Sequence, residues 1–407
     1  MEFNGAIVES LEQKSILVTG ATGFLAKVFV EKLLRVQPNL NQLFLLVRAS
    51  DSTSATQRFH NEVIGKEVFR VLRTKYGVDN EFDSFISAKI TLVPGDIILG
   101  NLGIKDTNLI EKMWKEVDVV ANFAATTKFD ESRYDVAFGI NTIGDKHVLD
   151  FAKKCVKLKM LLHISTAYVW GEKRGVILLE NPLKMGDETL NETSVGLDSE
   201  VEVKLLAQRL DELKAEQVSL KEETDAMKEF GLQRARLFGW PNPYVFTKAM
   251  GEMVIGELKG DVPVVIIRPT IVTSTYKEPF LGWIEGVRTI DSVILGVGKG
   301  RIKCGLAKSD SIMDVIPGDM VVNAAIVAMM AHANQPSEFM IYQVGSSARA
   351  PLSSIRLRDF VYDYFSKNPL LDKNGKPIKI PYPIIFPNMA TFLIYIHISY
   401  RLPLKVS

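Results

Sequence analysis

Ser15-Ile-Leu-Val-Thr-Gly-Ala-Thr-Gly-Phe-Leu-Ala26 decides how the first half of the chain folds. Ser15–Val18 reads as a short apolar strand, Gly20 as the tight turn that ends it, and Phe24 to Val36 as an amphipathic helix that starts at once. Such a helix start presents unpaired backbone N–H groups, where the phosphates of a dinucleotide lie. Gly23 lets the backbone approach the pyrophosphate, and Ala26 stands where a third glycine would pack helix on strand. The expected dinucleotide contacts here are Thr19, Gly20, Thr22, Gly23, Phe24 and Leu25.

Outward from this turn, strand-length apolar runs alternate with helix-like stretches: Gln42–Val47, Lys89–Val93, Val117–Phe123, Met160–Ser165 and, after a helix-like Val245–Leu258, Val262–Arg268. Short apolar runs separated by helices predict a parallel sheet covered on both faces. The expected class is α/β: a doubly wound parallel Rossmann sheet with a helical insertion and a smaller C-terminal substrate part. Residues 196–236 interrupt the alternation with a charged stretch in which Val203, Leu206, Leu210, Leu213 and Leu220 recur at helical spacing, so one or two surface helices are expected. The domain reading is 1–195 for the cofactor-binding core and 196–236 for the insertion. Residues 237–350 would hold the catalytic helix, remaining core strands and substrate region, and 351–407 the start of a further domain.

Composition limits the alternatives. The chain has 407 residues, 47% of them hydrophobic, and a net charge of +1, so a full core is available and no global field argues for nucleic acid. The stretch 180–236 is rich in acids, and 351–407 is basic. Two cysteines, Cys155 and Cys304, exclude a disulfide framework and a cysteine zinc site, and no metal is expected. The N-terminus has acids and no basic run, unlike a secretory signal or an Arg-rich transit peptide. No apolar run approaches the ~20 residues that span a bilayer. The protein is therefore expected on the cytoplasmic side, with peripheral membrane contact at most.

Five later segments carry the chemistry. The second strand ends at Arg48, where sites for the unphosphorylated dinucleotide usually place an acid; a guanidinium suits a 2′-phosphate and favours NADPH, although Asp51 lies close by. Gly95-Asp96-Ile97 is placed to edge the adenine, and Asn122-Phe-Ala-Ala-Thr126, with Ala124, to pass the nicotinamide ribose. Tyr244-Val-Phe-Thr-Lys248 sets a phenol and an ammonium one helical turn apart. Tyr244 would transfer the proton, its phenolate favoured by the ammonium and by an oxidised nicotinamide, and Lys248 would also hold ribose hydroxyls. Chance produces such a pair readily among 11 tyrosines, and its place after the Rossmann half singles this one out. In His163-Ile-Ser-Thr-Ala-Tyr-Val-Trp-Gly171, Thr166 is the expected donor to a substrate carbonyl, with Ser165 second. His163 reads as a core histidine.

These residues resemble the extended short-chain dehydrogenase/reductases, through Thr19–Ala26, Ser165–Gly171, Tyr244–Lys248 and Arg268-Pro269. Ala26 for glycine and Trp170 for tyrosine are departures. More narrowly the chain resembles the plant-type alcohol-forming fatty acyl-CoA reductases. The likeness rests on Gly20–Lys27, Asn122-Phe-Ala-Ala-Thr-Thr-Lys-Phe-Asp130, His163–Val169, Tyr244-Val-Phe-Thr-Lys-Ala-Met-Gly-Glu252 and Ile266-Ile-Arg-Pro-Thr-Ile271. The resemblance implies NADPH-dependent, four-electron reduction of a long-chain acyl-CoA to a primary alcohol, feeding waxes and related lipids. The family continues beyond a Tyr-x-Leu-Pro-Leu-like segment into a helical domain, whereas this chain reads Tyr400-Arg-Leu-Pro-Leu-Lys-Val-Ser407. A largely missing C-terminal domain is therefore expected, with Phe392–Ile396 exposed for membrane contact at the endoplasmic reticulum. Two other readings stay open: a reductase of small aldehydes or ketones, and a silent cofactor-binding chain that pairs with itself or with a related reductase.

Overall fold

Seven parallel strands make the central sheet: β1 (Ser15–Thr19), β2 (Gln42–Arg48), β3 (Ile90–Gly95), β4 (Val119–Asn122), β5 (Met160–Ile164), β6 (Val264–Pro269) and β7 (Phe339–Val344). The computed structural model describes residues 9–77, 80–127, 133–172, 180–186, 190, 196–287, 289–333 and 339–402. Lys128–Asp130 of the family-like segment and Pro403–Ser407 of the tail lie outside these residues, as does most of the acid-bearing N-terminal stretch. The strand order is β7-β6-β5-β4-β1-β2-β3. The order reverses between β1 and β4, and there a crevice opens at the carboxyl ends of the strands. This is the doubly wound sheet that the alternating apolar runs predict. The strands are apolar because both faces are covered: all five residues of β1 and of β5 are buried.

Seven helices build the site, the insertion and the tail: α1 (Phe24–Val36), α2 (Gly144–Ala152), α3 (Ser199–Ala215), α4 (Leu220–Leu237), α5 (Pro243–Leu258), α6 (Gly318–His332) and α7 (Met389–Ile396). The insertion is two helices. Gln217, at φ 53°, breaks the chain between them, and Ser219 with Glu222 forms a capping box that starts α4. Leu206 and Leu213 are buried on α3, whereas Val203 and Leu220 of the same spacing are exposed. Leu220 is the first residue of α4, where the helical phase restarts, so it leaves the stripe. The insertion is pinned by Glu202 of α3, 1% exposed, which accepts from the Tyr134 hydroxyl at 2.7 Å and pairs with Arg234 of α4. Its apolar face shares one core with Phe238, Trp240 and Phe246.

The chain divides into two compact units. The first comprises Met1–Pro269, Ser274–Trp283 and Gly318–Val344, and holds the sheet. The second comprises Thr270–Thr273, Ile284–Pro317 and Gly345–Ser407, with short strand pairs such as Ile384–Phe386 on Cys304–Leu306. In it α7 is apolar over eight residues and buries none of them. Among the described residues, no helix is long and apolar enough to cross a membrane.

Candidate active site

At the end of β1 the chain turns at Gly20, whose φ is +66°. A Cβ there would lie 2.7 Å from Ala124 N and 2.8 Å from Phe123 C, both backbone atoms that a methyl cannot displace cheaply. Thr19, fully buried, holds this approach together: its hydroxyl donates to Asn122 Oδ1 at 2.5 Å and accepts from Ala124 N at 3.3 Å. Gly23 then starts α1 as an N-cap with no side-chain cap, and no acidic residue occupies the first turn. The positive end of α1 is left open to an anion.

A cleft opens beside this turn, lined by Gly20, Thr22, Gly23, Arg48, Asp96, Ile97 and Ala124 among others. Seven of the sequence-predicted cofactor residues therefore meet in one place. Thr19, Phe24, Leu25 and Lys248 are not on its wall. Thr19 supports the turn from beneath, and Phe24 stacks on Trp283 at 5.0 Å. Asp51 is occupied elsewhere: it caps the helix Ser52–Phe59, accepts from Ser50 and Ser54, and is held at about 2, chiefly by the Ser54 backbone N–H. Arg58, which belongs to no motif, does line the cleft; it donates to the Arg48 carbonyl at 2.5 Å and pairs with Glu62. Cradle, open helix start and guanidinium wall together fit a dinucleotide.

The second group of residues gathers on β5 and α5. Asn242 caps α5 by accepting from Val245 N, Pro243 occupies its first turn, and twelve of its sixteen residues are buried. Tyr244 and Lys248, four apart, share a face of this helix. Thr166 follows β5, accepts from Tyr168 N at 3.3 Å, and its side chain is hydrogen-bonded to that of Tyr244. Burial pushes the Tyr244 phenol up to about 12, with the Thr166 bond opposing it. The expectation of a phenol eased toward its anion by Lys248 is not met. The Lys248 ammonium is turned to Ile164 O and His163 Nε2, both at 3.1 Å, and to Asp145 Oδ2 at 3.8 Å. Ser165 Oγ is buried with no hydrogen-bond partner among the described residues. His163 is fully buried, as a core histidine should be, yet it touches Lys248 directly. Arg268 of the Arg-Pro pair is also fully buried, held by Glu252 one helical turn beyond Lys248 at 2.5 Å.

Asp145 is the residue that sequence reading missed. It lies on α2, fully buried, and accepts from Asn122 Nδ2 at 2.7 Å. Its signal is Gly251 in the middle of α5. A Cβ at Gly251 would meet Asn141 O at 2.2 Å and Asp145 Oδ2 at 2.3 Å, so glycine there lets α5 close on both that backbone and this carboxylate.

Comparison with known proteins agrees with this layout. Residues 18–325 match an NAD-binding family described as "Male sterility protein". The chain is 54% identical to the "Alcohol-forming fatty acyl-CoA reductase" of Simmondsia chinensis over all of this chain and 81% of that one. It is 52% identical to "Fatty acyl-CoA reductase 1" of Arabidopsis thaliana, over 98% of this chain and 80% of that one. Among solved structures, the reductase domain of a nonribosomal peptide synthetase from Mycobacterium tuberculosis superposes with a TM-score of 0.60 at 18% identity, covering 98% of this chain and 80% of that one; it speaks for the fold alone. A nicotinamide cofactor follows from the family and the fold. The chain belongs to the fatty acyl-CoA reductase family.

Proposed function

We propose that this protein reduces a long-chain fatty acyl-CoA to a primary fatty alcohol and free CoA, with NADPH as reductant. The observation that carries the proposal is the Thr166–Tyr244 hydrogen bond beside Lys248, in a chain similar along its whole length to a relative named for forming alcohols. On this reading residues 1–195 bind the cofactor and 196–236 are the insertion. Residues 237–350 supply the catalytic helix and substrate region, and 351–407 start a further domain.

Gly20, Thr22 and Gly23, at the open start of α1, would hold the pyrophosphate, with Thr19, Phe24 and Leu25 shaping the turn. Asp96, Ile97 and Ala124 would flank the adenosine and ribose. Arg48 would meet the 2′-phosphate, with Arg58 beside it, while Asp51 is committed to its cap. Bound there, the reduced nicotinamide supplies the hydride for each reduction.

Tyr244 acts as the proton donor. A phenol held near about 12 stays protonated at neutral pH, the state a reduction needs. Thr166 steadies that phenol in the free site and would turn its hydroxyl to the substrate oxygen as negative charge grows there; the unpartnered Ser165 hydroxyl is the second donor. In the first reduction the carbonyl carbon gains a hydride and its oxygen gains the Tyr244 proton. The resulting hemithioacetal loses the C–S bond, releasing CoA thiol and an aldehyde. A second hydride and proton give the alcohol. Lys248 holds the ribose hydroxyls. The apolar α7, near basic residues such as Arg401, is the segment we assign to peripheral contact with the endoplasmic reticulum membrane.

The test is incubation of purified protein with NADPH and acyl-CoAs of graded length. Fatty alcohol that forms with the native chain and vanishes with Tyr244→Phe supports the proposal. No product, with NADPH binding intact, overturns it.

A further inference from the structure

Four polar side chains that no water reaches run between the cofactor turn and Lys248. Thr19, under the glycine turn, donates to Asn122 Oδ1 at 2.5 Å. The amide of Asn122 has two protons to give; one goes to Asp145 Oδ1 at 2.7 Å, and the other faces His163 Nδ1 at 3.1 Å. The neutral ring has one acceptor nitrogen, and donors face both: Asn122 Nδ2 at Nδ1 and Lys248 Nζ at Nε2. Burial, with Lys248 adding to it, holds His163 well below its usual range, so the ring is neutral. Its Nε2 lies 3.1 Å from Lys248 Nζ and 3.6 Å from Asp145 Oδ2, and Lys248 Nζ itself lies 3.8 Å from that oxygen. Asp145 Oδ2 has no hydrogen bond within 3.5 Å among the described residues. A buried carboxylate oxygen with an ammonium just beyond bonding distance and no other partner is a polar atom kept for a purpose.

The charges around it identify that purpose. Four elements bring titratable or charged groups to this spot: Asp145 from α2, His163 from β5, Tyr244, Lys248 and Glu252 from α5, and Arg268 from β6. Glu252 is spent on Arg268, whose Nε and Nη2 both reach it. His163 is neutral. Burial raises the Asp145 carboxyl to about 6, with Lys248 opposing, so above that pH Asp145 is the anion left for Lys248, and both side chains are within 1% of full burial. Gly251, where a Cβ would meet both Asn141 O at 2.2 Å and Asp145 Oδ2 at 2.3 Å, leaves room for the carboxylate beside α5.

We propose that Asp145 is the counter-ion and positioning residue of Lys248, holding its ammonium in place. The proposal rests on the reading of Lys248 as the residue that holds the ribose. An enclosed ammonium stripped of its counter-ion gives up its proton at lower pH.

The experiment uses the full chain, with Asp145→Asn, Lys248→Met and, should the amide variant not fold, Asp145→Ser. Each is first checked by thermal melting. Turnover of acyl-CoA and the dissociation constant for NADPH, from quenching of tryptophan fluorescence, are then followed against pH. Expected for the Asp145 variant is an alkaline limb of kcat that begins at lower pH than in the native chain, with NADPH affinity falling at that same lower pH. A folded Asp145 variant with both profiles unchanged, beside an inactive Lys248→Met, overturns the counter-ion role and leaves the reading of Lys248 standing. A Lys248→Met variant with native turnover and NADPH affinity overturns both.

Discussion

Replacing Gly20 by alanine adds one methyl at the point where β1 meets the crevice. Two effects are separable. The residue sits at φ +66°, a left-handed conformation that costs a non-glycine residue about 1–2 kcal/mol. The new Cβ also lies 2.7 Å and 2.8 Å from Ala124 N and Cα, and these belong to backbone held by Thr19. Forcing such an overlap costs about 1–3 kcal/mol more, and moves Ala124, which lines the cofactor cleft. The total is about 2–5 kcal/mol of stability, with loss of cofactor affinity. Gly260→Ala provides the control, because Gly260 has φ +57° and a methyl added to it would meet nothing within 4 Å. It should lose only the conformational part and leave affinity unchanged. Urea unfolding gives the first quantity and fluorescence titration with NADPH the second. Equal destabilisation of the two variants, with native NADPH affinity in Gly20→Ala, would refute the claim that this turn is a cofactor cradle.

Three further outcomes are expected. Arg48→Asp should weaken NADPH binding by about 1.5–3 kcal/mol, the worth of a charged hydrogen bond, and spare NADH; comparing the two dissociation constants checks it. Glu31, fully buried on α1, has its carboxyl raised by burial to about 7 from 4.5, despite Arg35 beside it. The folded state keeps a proton there that the unfolded chain releases, so this group's contribution to stability declines as pH rises from 4.5 to about 7. Glu31→Gln should therefore gain on the native chain by about 3 kcal/mol across that window, read from urea midpoints. Arg268→Met leaves Glu252 buried without its partner and should cost about 3–5 kcal/mol in the same assay.

Periodicity makes much of the fold legible. Phe24–Val36 has the bounds read from its apolar spacing, and β2 and β5 end within a residue of expectation. β7 does not stand out in the sequence, because a six-residue apolar run far from any motif looks like many others until it pairs with β6. The insertion is visible as charged helix, but its break at Gln217 is not. Of the site, the glycine turn, Arg48, Thr166, Tyr244 and Lys248 announce themselves by local spacing. Arg58, Asp145 and the role of His163 do not. Asp145 reaches Asn122 across 23 residues and His163 reaches Lys248 across 85, so only the closing of α2 and α5 on the sheet brings them together. The Tyr244 shift runs opposite to the sequence expectation for a related reason: burial outweighs a lysine whose ammonium points to other partners.

The most direct test of the central claim is stoichiometry. Purified protein is given NADPH and a long-chain acyl-CoA, and three quantities are followed together: NADPH consumed, CoA thiol released, and the lipid product by mass spectrometry. The account predicts primary alcohol, with two NADPH oxidised for each thiol freed. Thiol release that oxidises no NADPH and leaves free fatty acid would mean that the site hydrolyses the thioester, and would contradict the account.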